Sequence, residues 1–508
     1  MKKITALTLV LTLIISLFAG CGQPSQPNDN DEIPTQSNSG DVIAEEPIEL
    51  TLTYCSATIQ PSEDNIRRIE AAINEHTIPD LNIKVTLNMP SMATYFTTLG
   101  TEITTGASDY DVMLLVSALI PTFASYGFLA DITEPLQEYG QDLLNSYGDP
   151  AIASAMNVNG RIYCVPVHKE NAWQSTVMMR KDIVDKYNID VSAIQSLEDL
   201  EKVYEQVSAQ EPDMLMLALS SYGTTAGLAV DDLGSGVPMG LINPTTSTEV
   251  VSYADTQEFA DYCATLHRWY ENGWIEQGVT SNPNAVPQDY IAAGKAFSTL
   301  NTFSHPLAEA DFEAQCNGTD MVMVSFGDQI ITNAAAAYFG YGVSATTKDV
   351  NKSVQLLNYI CTNSDVMNLL NWGEEGVDYV VTENGTLDYP DGVTLENVGY
   401  HLNSGWALPN QLICTPWCTM EPDIYEQIDT YNQQGILSKG FGMTFDQTNV
   451  ANEMTAVLQV VNQYYNGLIT GELDPDKYIP IFQEELKKAG SEAIIAEMQK
   501  QLDALLAQ

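Results

Sequence analysis

Residues 48–87, IELTLTYCSATIQPSEDNIRRIEAAINEHTIPDLNIKVTL, decide the fold class. Ile48–Tyr54 alternates apolar and polar at period two, the signature of a half-buried strand. From Ser62 to His76 the apolar residues Ile66, Ile69, Ala72 and Ile73 fall at helical spacing, with Ser62 or Asp64 as N-cap. Leu81–Leu87 alternates again and puts Ile83, Val85 and Leu87 on one face. Strand, helix and strand at this pitch make a βαβ unit, so the class is α/β. The apolar run Val112–Val116 suits a buried parallel strand.

Further along, residues 159–173 read NGRIYCVPVHKENAW. Asn159-Gly160 is a turn dipeptide, Ile162–Val165 has strand composition, and Pro166 removes a ladder donor, which ends the strand or confines it to an edge. Polar residues follow, closing on Trp173. The stretch is expected to cross between two lobes and present Glu170, Asn171 and Trp173 to a cleft; a hairpin strand with a surface loop is the competing reading. Ala296–Leu300 repeats the pattern as a second candidate crossing, followed by Asn301, Phe303 and His305.

The chain has 508 residues, too many for one ordinary core. Twenty Lys+Arg stand against 67 Asp+Glu, a net charge of −47. A field of that sign disfavours nucleic acid and anionic headgroups as partners. Met1-Lys2-Lys3 precedes an apolar run, and Leu17-Phe18-Ala19-Gly20-Cys21 resembles the lipobox of bacterial lipoproteins. That resemblance implies removal of residues 1–20, lipid on Cys21, and an extracytoplasmic protein held at the cell membrane. Residues 21–47, rich in Pro, Ser, Gln and Asn, read as a disordered tether. The remaining cysteines are scattered; Cys414 and Cys418 are the one close pair, with a local disulfide or two small buried thiols as alternatives. Nucleophile-elbow, zinc-protease and Walker motifs are missing, and the five histidines include no pair at i, i+4. No catalytic residue, metal or cofactor is expected.

Several phrases, taken in order, resemble the bacterial extracellular solute-binding proteins of family 1, and loosely their larger oligosaccharide-binding lipoprotein branch. They are Gly106–Val112, Gly127–Thr133, Asn159–Pro166, Met179–Asp182 with Ser196–Leu200, Ala293–Ala296 and Asn371–Tyr379. The resemblance implies a periplasmic-binding-protein-like fold: two α/β lobes joined by a multi-strand hinge and closing on ligand. Lobe 1 is expected from 48–165 plus 299–345, and lobe 2 from 166–298 plus 346–473. Helices of 474–508 would pack on the lobes. It further implies a monomer that delivers solute, an oligosaccharide or alternatively a peptide, to the permease subunits of an ABC importer. A glycosidase or a non-transport adhesin on the same fold are the rival functions.

Sugar recognition needs flat aromatic faces with amides and acids for hydroxyls. Candidate ligand-binding residues are Trp173, Glu170, Asn171, Tyr222, Phe303, Asn301, Trp406, Trp417, Tyr54 and Asp111. Tyr54 is chosen because it ends a strand, where open α/β sheets bind ligands. Trp406 and Trp417 share one long loop. Core packing competes for Tyr54, and a turn or capping role for Asp111.

Overall fold

The computed structural model describes residues 46–56, 59–105, 109–158, 160–302 and 304–507. The lipobox with Cys21, nearly all of the expected tether, and Phe303 lie outside the described residues. Two five-stranded sheets organise the molecule. Their strands in chain order are β1 (Ile48–Thr53), β2 (Ile83–Asn88), β3 (Val112–Val116), β4 (Cys164–Pro166), β5 (Trp173–Arg180), β6 (Leu215–Leu217), β7 (Ala296–Asn301), β8 (Met321–Ile331), β9 (Phe339–Val343) and β10 (Ile436–Leu437).

The first sheet has the order β2-β1-β3-β9-β4, and the second β10-β8-β5-β7-β6. The βαβ unit forms as its periodicity predicts: β1 and β2 pair in parallel, Ile48 opposite Ile83. The helix between them, Glu63–Leu81, buries Ile66, Ile69 and Ile73. Ser62 is its N-cap, accepting from Asn65 N, and Asn82 ends it in the left-handed conformation at φ 55°. Pro166 sits in β4 at the edge of the first sheet, where a missing ladder donor costs least.

One apolar core is drawn from residues 50–172 and 336–428, with few others; a second comes from 177–326 and 443–502. The chain therefore passes between lobes after β4, after β8 and after the helix Ile424–Gln434. This departs from the expected division. β7, expected as a second crossing, lies inside the second sheet, antiparallel to β5 and parallel to β6. Residues 299–331 thus belong to lobe 2, while 346–434 pack into lobe 1. β4 also stays within lobe 1, and the crossing is the segment after it. The C-terminal helices Pro475–Ala489 and Ser491–Leu506 bury Ile479, Phe482, Ile494 and Met498 in the lobe 2 core.

Cys414 is buried, Cys418 is exposed, and both are free thiols. Among the described residues no helix is long and apolar enough to cross a membrane, and no cluster of His, Cys, Asp and Glu could hold a metal ion.

Candidate binding cleft between the lobes

A cavity of about 920 Å³ lies at the ends of β5 and β8 in lobe 2, beside the chain that returns to lobe 1. Trp173, half-buried, lines it where the chain enters lobe 2 and starts β5. The strand is anchored on both sides: Trp173 lies opposite Ile330 of β8, and Gln174 N donates to Thr302 O at 3.2 Å. A register shift between Phe326 and Ile330 bulges β8 and brings Phe326, Gly327 and Asp328 to the cavity. Bulges commonly re-aim side chains beside functional sites. Gln174 Nε2 donates to Gly327 O at 2.7 Å and holds the bulge in place. Lobe 1 closes the other side with Tyr338, which immediately precedes β9.

A second cavity of about 410 Å³ adjoins the first, since Thr225 and Thr302 line both. It lies at the carboxyl ends of β6 and β7, the usual position for a ligand crevice in α/β sheets. Tyr222, 55% exposed, and the half-buried Asn301 line this smaller space. Together the cavities make one continuous space along lobe 2.

The other candidates sit elsewhere. Glu170 and Asn171 are packed into the crossing and line neither cavity. Lys169 Nζ donates to Glu170 Oε1 at 2.8 Å, and Asn171 N donates to Asn432 Oδ1 at 2.7 Å. The second of these bonds ties the crossing to the helix Ile424–Gln434. Burial works to raise the Glu170 carboxyl, but the charges of Lys169 and His305 outweigh it and hold the group below the ordinary carboxylate range.

Tyr54 is 1% exposed in the lobe 1 core, its hydroxyl 2.9 Å from that of Tyr400. Asp111 is a clamp, accepting from Thr51 N at 2.8 Å and Thr347 Oγ1 at 2.6 Å. Both positions are covered by chain that arrives late, from the segments holding Thr347 and Tyr400. Trp406 packs on Phe339 with ring centroids 5.3 Å apart. Trp417 joins a lobe 1 cluster with Trp372, Tyr389 and His401, at 5.1, 4.8 and 4.5 Å. Expected to bind ligand, these four residues instead pack within lobe 1 and line neither cavity.

Sequence reasoning passed over Asp231, Asp232, Tyr253, Tyr338 and Tyr465, all on the larger cavity. Val461 and Tyr465 could have been noticed as an i, i+4 pair on one helix face. Asp231 is 4% exposed, with Oδ2 accepting from Ser438 Oγ at 2.6 Å and Oδ1 from Leu233 N at 3.0 Å. Burial pushes its carboxyl up to about 6; the bond from Ser438 opposes this and the Asp232 charge adds to it.

The folded protein therefore holds this proton more tightly than the unfolded chain does, and ionising Asp231 lowers stability as pH rises through about 6. Asp231→Asn removes that dependence. Measured by thermal melts, the stability of the variant relative to wild type is expected to fall by roughly 1 kcal/mol between pH 7.5 and pH 5. A difference that does not change with pH would show that Asp231 holds no such proton.

The chain matches two family profiles. Residues 69–376 match "Bacterial extracellular solute-binding protein". Residues 439–507, the segment that completes lobe 2, match a domain of unknown function, DUF3502. A carbohydrate ABC transporter substrate-binding protein of Streptococcus pneumoniae serotype 4 is 27% identical over 416 residues, covering 80% of this chain and 81% of that one. The crystal structure of the N-glycan transport solute binding protein (NgtS) from Streptococcus pneumoniae superposes with a TM-score of 0.77 at 25% identity, covering 91% of this chain and 99% of that one. The alginate-binding protein AlgQ2, at 14% identity and a TM-score of 0.60 over 91% of this chain and 99% of that one, shares the fold. Two α/β lobes, a hinge crossed by three segments and a cleft at the sheet ends make a periplasmic-binding-protein-like fold. With the profile spanning more than half its length, the chain belongs to the bacterial extracellular solute-binding proteins.

Proposed function

We propose that the protein captures an oligosaccharide in the interlobe cleft and delivers it to an ABC importer, without chemical conversion. The observation that carries this reading is the cavity of about 920 Å³ bounded by Trp173 from lobe 2 and Tyr338 from lobe 1. Aromatic faces held apart on two lobes can sandwich a pyranose when the lobes close. The names of the relatives support a glycan as cargo. NgtS in complex with Man1GlcNAc or Man5GlcNAc superposes less well, with TM-scores of 0.67 and 0.64, than the 0.77 of the other NgtS structure. Such a spread for one relative supports lobes that reorient around a sugar.

Isothermal titration with a panel of oligosaccharides is expected to give one-to-one binding by at least one member. Saturation at about 100 times Kd should stabilise the fold by about 2.7 kcal/mol. Chromatography should recover the sugar intact. Release of a shorter product would make the protein a glycosidase, and a panel without any binder would favour an adhesin.

In the same reading the mature chain is a monomer that begins at Cys21 and is held on the membrane by lipid on that residue, after the lipobox-like Leu17-Phe18-Ala19-Gly20. Two acyl chains on one cysteine suffice for stable anchoring. Mass spectrometry of the N-terminal peptide from a membrane fraction would reveal the modification; an unmodified Cys21 would remove this part of the reading.

A further inference from the structure

We propose that the cleft is selective for uncharged oligosaccharides and rejects sugars bearing carboxylate or sulfate groups. The inference rests on the oligosaccharide reading above and adds the class of sugar. Six acidic side chains line the larger cavity: Glu198, Asp231, Asp232, Glu258, Asp261 and Asp328. Among the described residues, no Lys, Arg or His lines either cavity. Glu198, Glu258, Asp261 and Asp328 are exposed at the mouth, whereas Asp231 is buried at the floor. An anionic sugar would leave water without meeting a counter-charge, beside several like charges, in the field of a chain whose net charge is −47.

An independent feature of the floor points to the same ligand chemistry. Tyr253 lines the cavity at 2% exposure, and its hydroxyl has no hydrogen-bond partner among the described residues. A buried hydroxyl left unpaired is costly, so this one favours a ligand that accepts from it. Asp231 and Asp232 lie close enough for their charges to act on the Tyr253 phenol. A sugar hydroxyl can accept from a phenol and donate to a carboxylate at once. An ionised carboxylate or sulfate only accepts, so it can satisfy Tyr253 but opposes both acids. A neutral sugar hydroxyl can therefore satisfy Tyr253 without bringing negative charge to the six acids on the cavity.

The test titrates the full chain with manno-, chito- and galacto-oligosaccharides, their counterparts oxidised at C6 to uronates, and the same uronates converted to primary amides. The amide keeps the size of the uronate and removes the charge. For each neutral sugar that binds, the uronate is expected to bind at least about tenfold more weakly and the amide within about threefold of the parent. Raising salt from about 50 to about 500 mM should narrow the gap between acid and amide. The variant Glu258→Gln with Asp328→Asn, both at exposed positions, should narrow it too. A uronate that binds as tightly as its amide, or an amide as weak as its uronate, overturns the selectivity while leaving oligosaccharide capture intact. A series in which no sugar binds overturns the oligosaccharide reading and this inference with it.

Discussion

Replacing Trp173 with alanine is expected to weaken oligosaccharide binding by about 30- to 1000-fold, a loss of about 2–4 kcal/mol. The size of the effect follows from where the indole is mounted. Trp173 is the first residue of a central strand of lobe 2, paired in register with β8 on one side and followed on the other by the bond from Gln174 N to Thr302 O. Its backbone is therefore fixed, and an indole has only two rotatable side-chain torsions, so little entropy is lost when a sugar ring stacks on it. The alanine side chain removes the flat face but leaves those backbone bonds in place. Ligand-free melting should consequently change far less than affinity. Trp173→Phe keeps a smaller face and should recover most of the loss. Titration of wild type, Trp173→Phe and Trp173→Ala with one sugar is the measurement. A Kd for Trp173→Ala within about threefold of wild type would remove Trp173 from the site.

The same residue shows how far the sequence was legible. The order of turn, strand and proline located β4 and its edge position, because each is a local consequence of backbone chemistry; the crossing beside it was legible only through the family resemblance, and was expected one segment early, at Ile162–Pro166. Trp173 followed from that, being the first large aromatic after the crossing. An equally local pattern misled at Ala296–Leu300. Strand composition followed by polar and aromatic residues fits an interior strand as well as a crossing one. What separates the two is the pairing of Ser298 with Met179 and with Leu217, contacts set by tertiary structure. Tyr54 failed for a related reason. It directly follows β1, but Tyr400 closes over it from a distant part of the chain. The floor of the cleft was the least legible part. Asp231 ends the two-residue strand Val230–Asp231 and Tyr253 opens the 3-10 turn Tyr253–Asp255, elements too short for periodicity to show, so burial alone gives the acid and the phenol their roles.

One family-like phrase, Asn371–Tyr379, acquires a structural meaning that leads to the second large effect. Asp378 is 1% exposed, and Arg68 of the helix Glu63–Leu81 donates to both of its oxygens, at 2.8 and 2.9 Å. The same carboxylate accepts from Glu374 N at 2.9 Å and Tyr400 N at 3.1 Å, and Arg68 also reaches Glu374 at 3.0 Å. Gly373 has φ +98°, and a Cβ there would collide with the Asp378 carboxylate, which explains the glycine in the phrase. The network staples the first helix of lobe 1 to the chain that returns after β9. Arg68→Ala leaves a buried carboxylate with only backbone donors, and Asp378→Ala strips acceptors from a partly buried guanidinium and two amides. Each is expected to lower stability by about 2–4 kcal/mol, or about 5–15 °C in melting temperature for a lobe of this size. The double variant should cost much less than the sum of the two, since most of each single loss is the charge left unpaired. None of these side chains lines either cavity, so sugar affinity measured well below the melting transition should stay within about threefold of wild type. Additive losses in the double variant would show that the two residues stabilise lobe 1 separately. A fall in affinity matching the fall in stability would show instead that the staple positions the cleft.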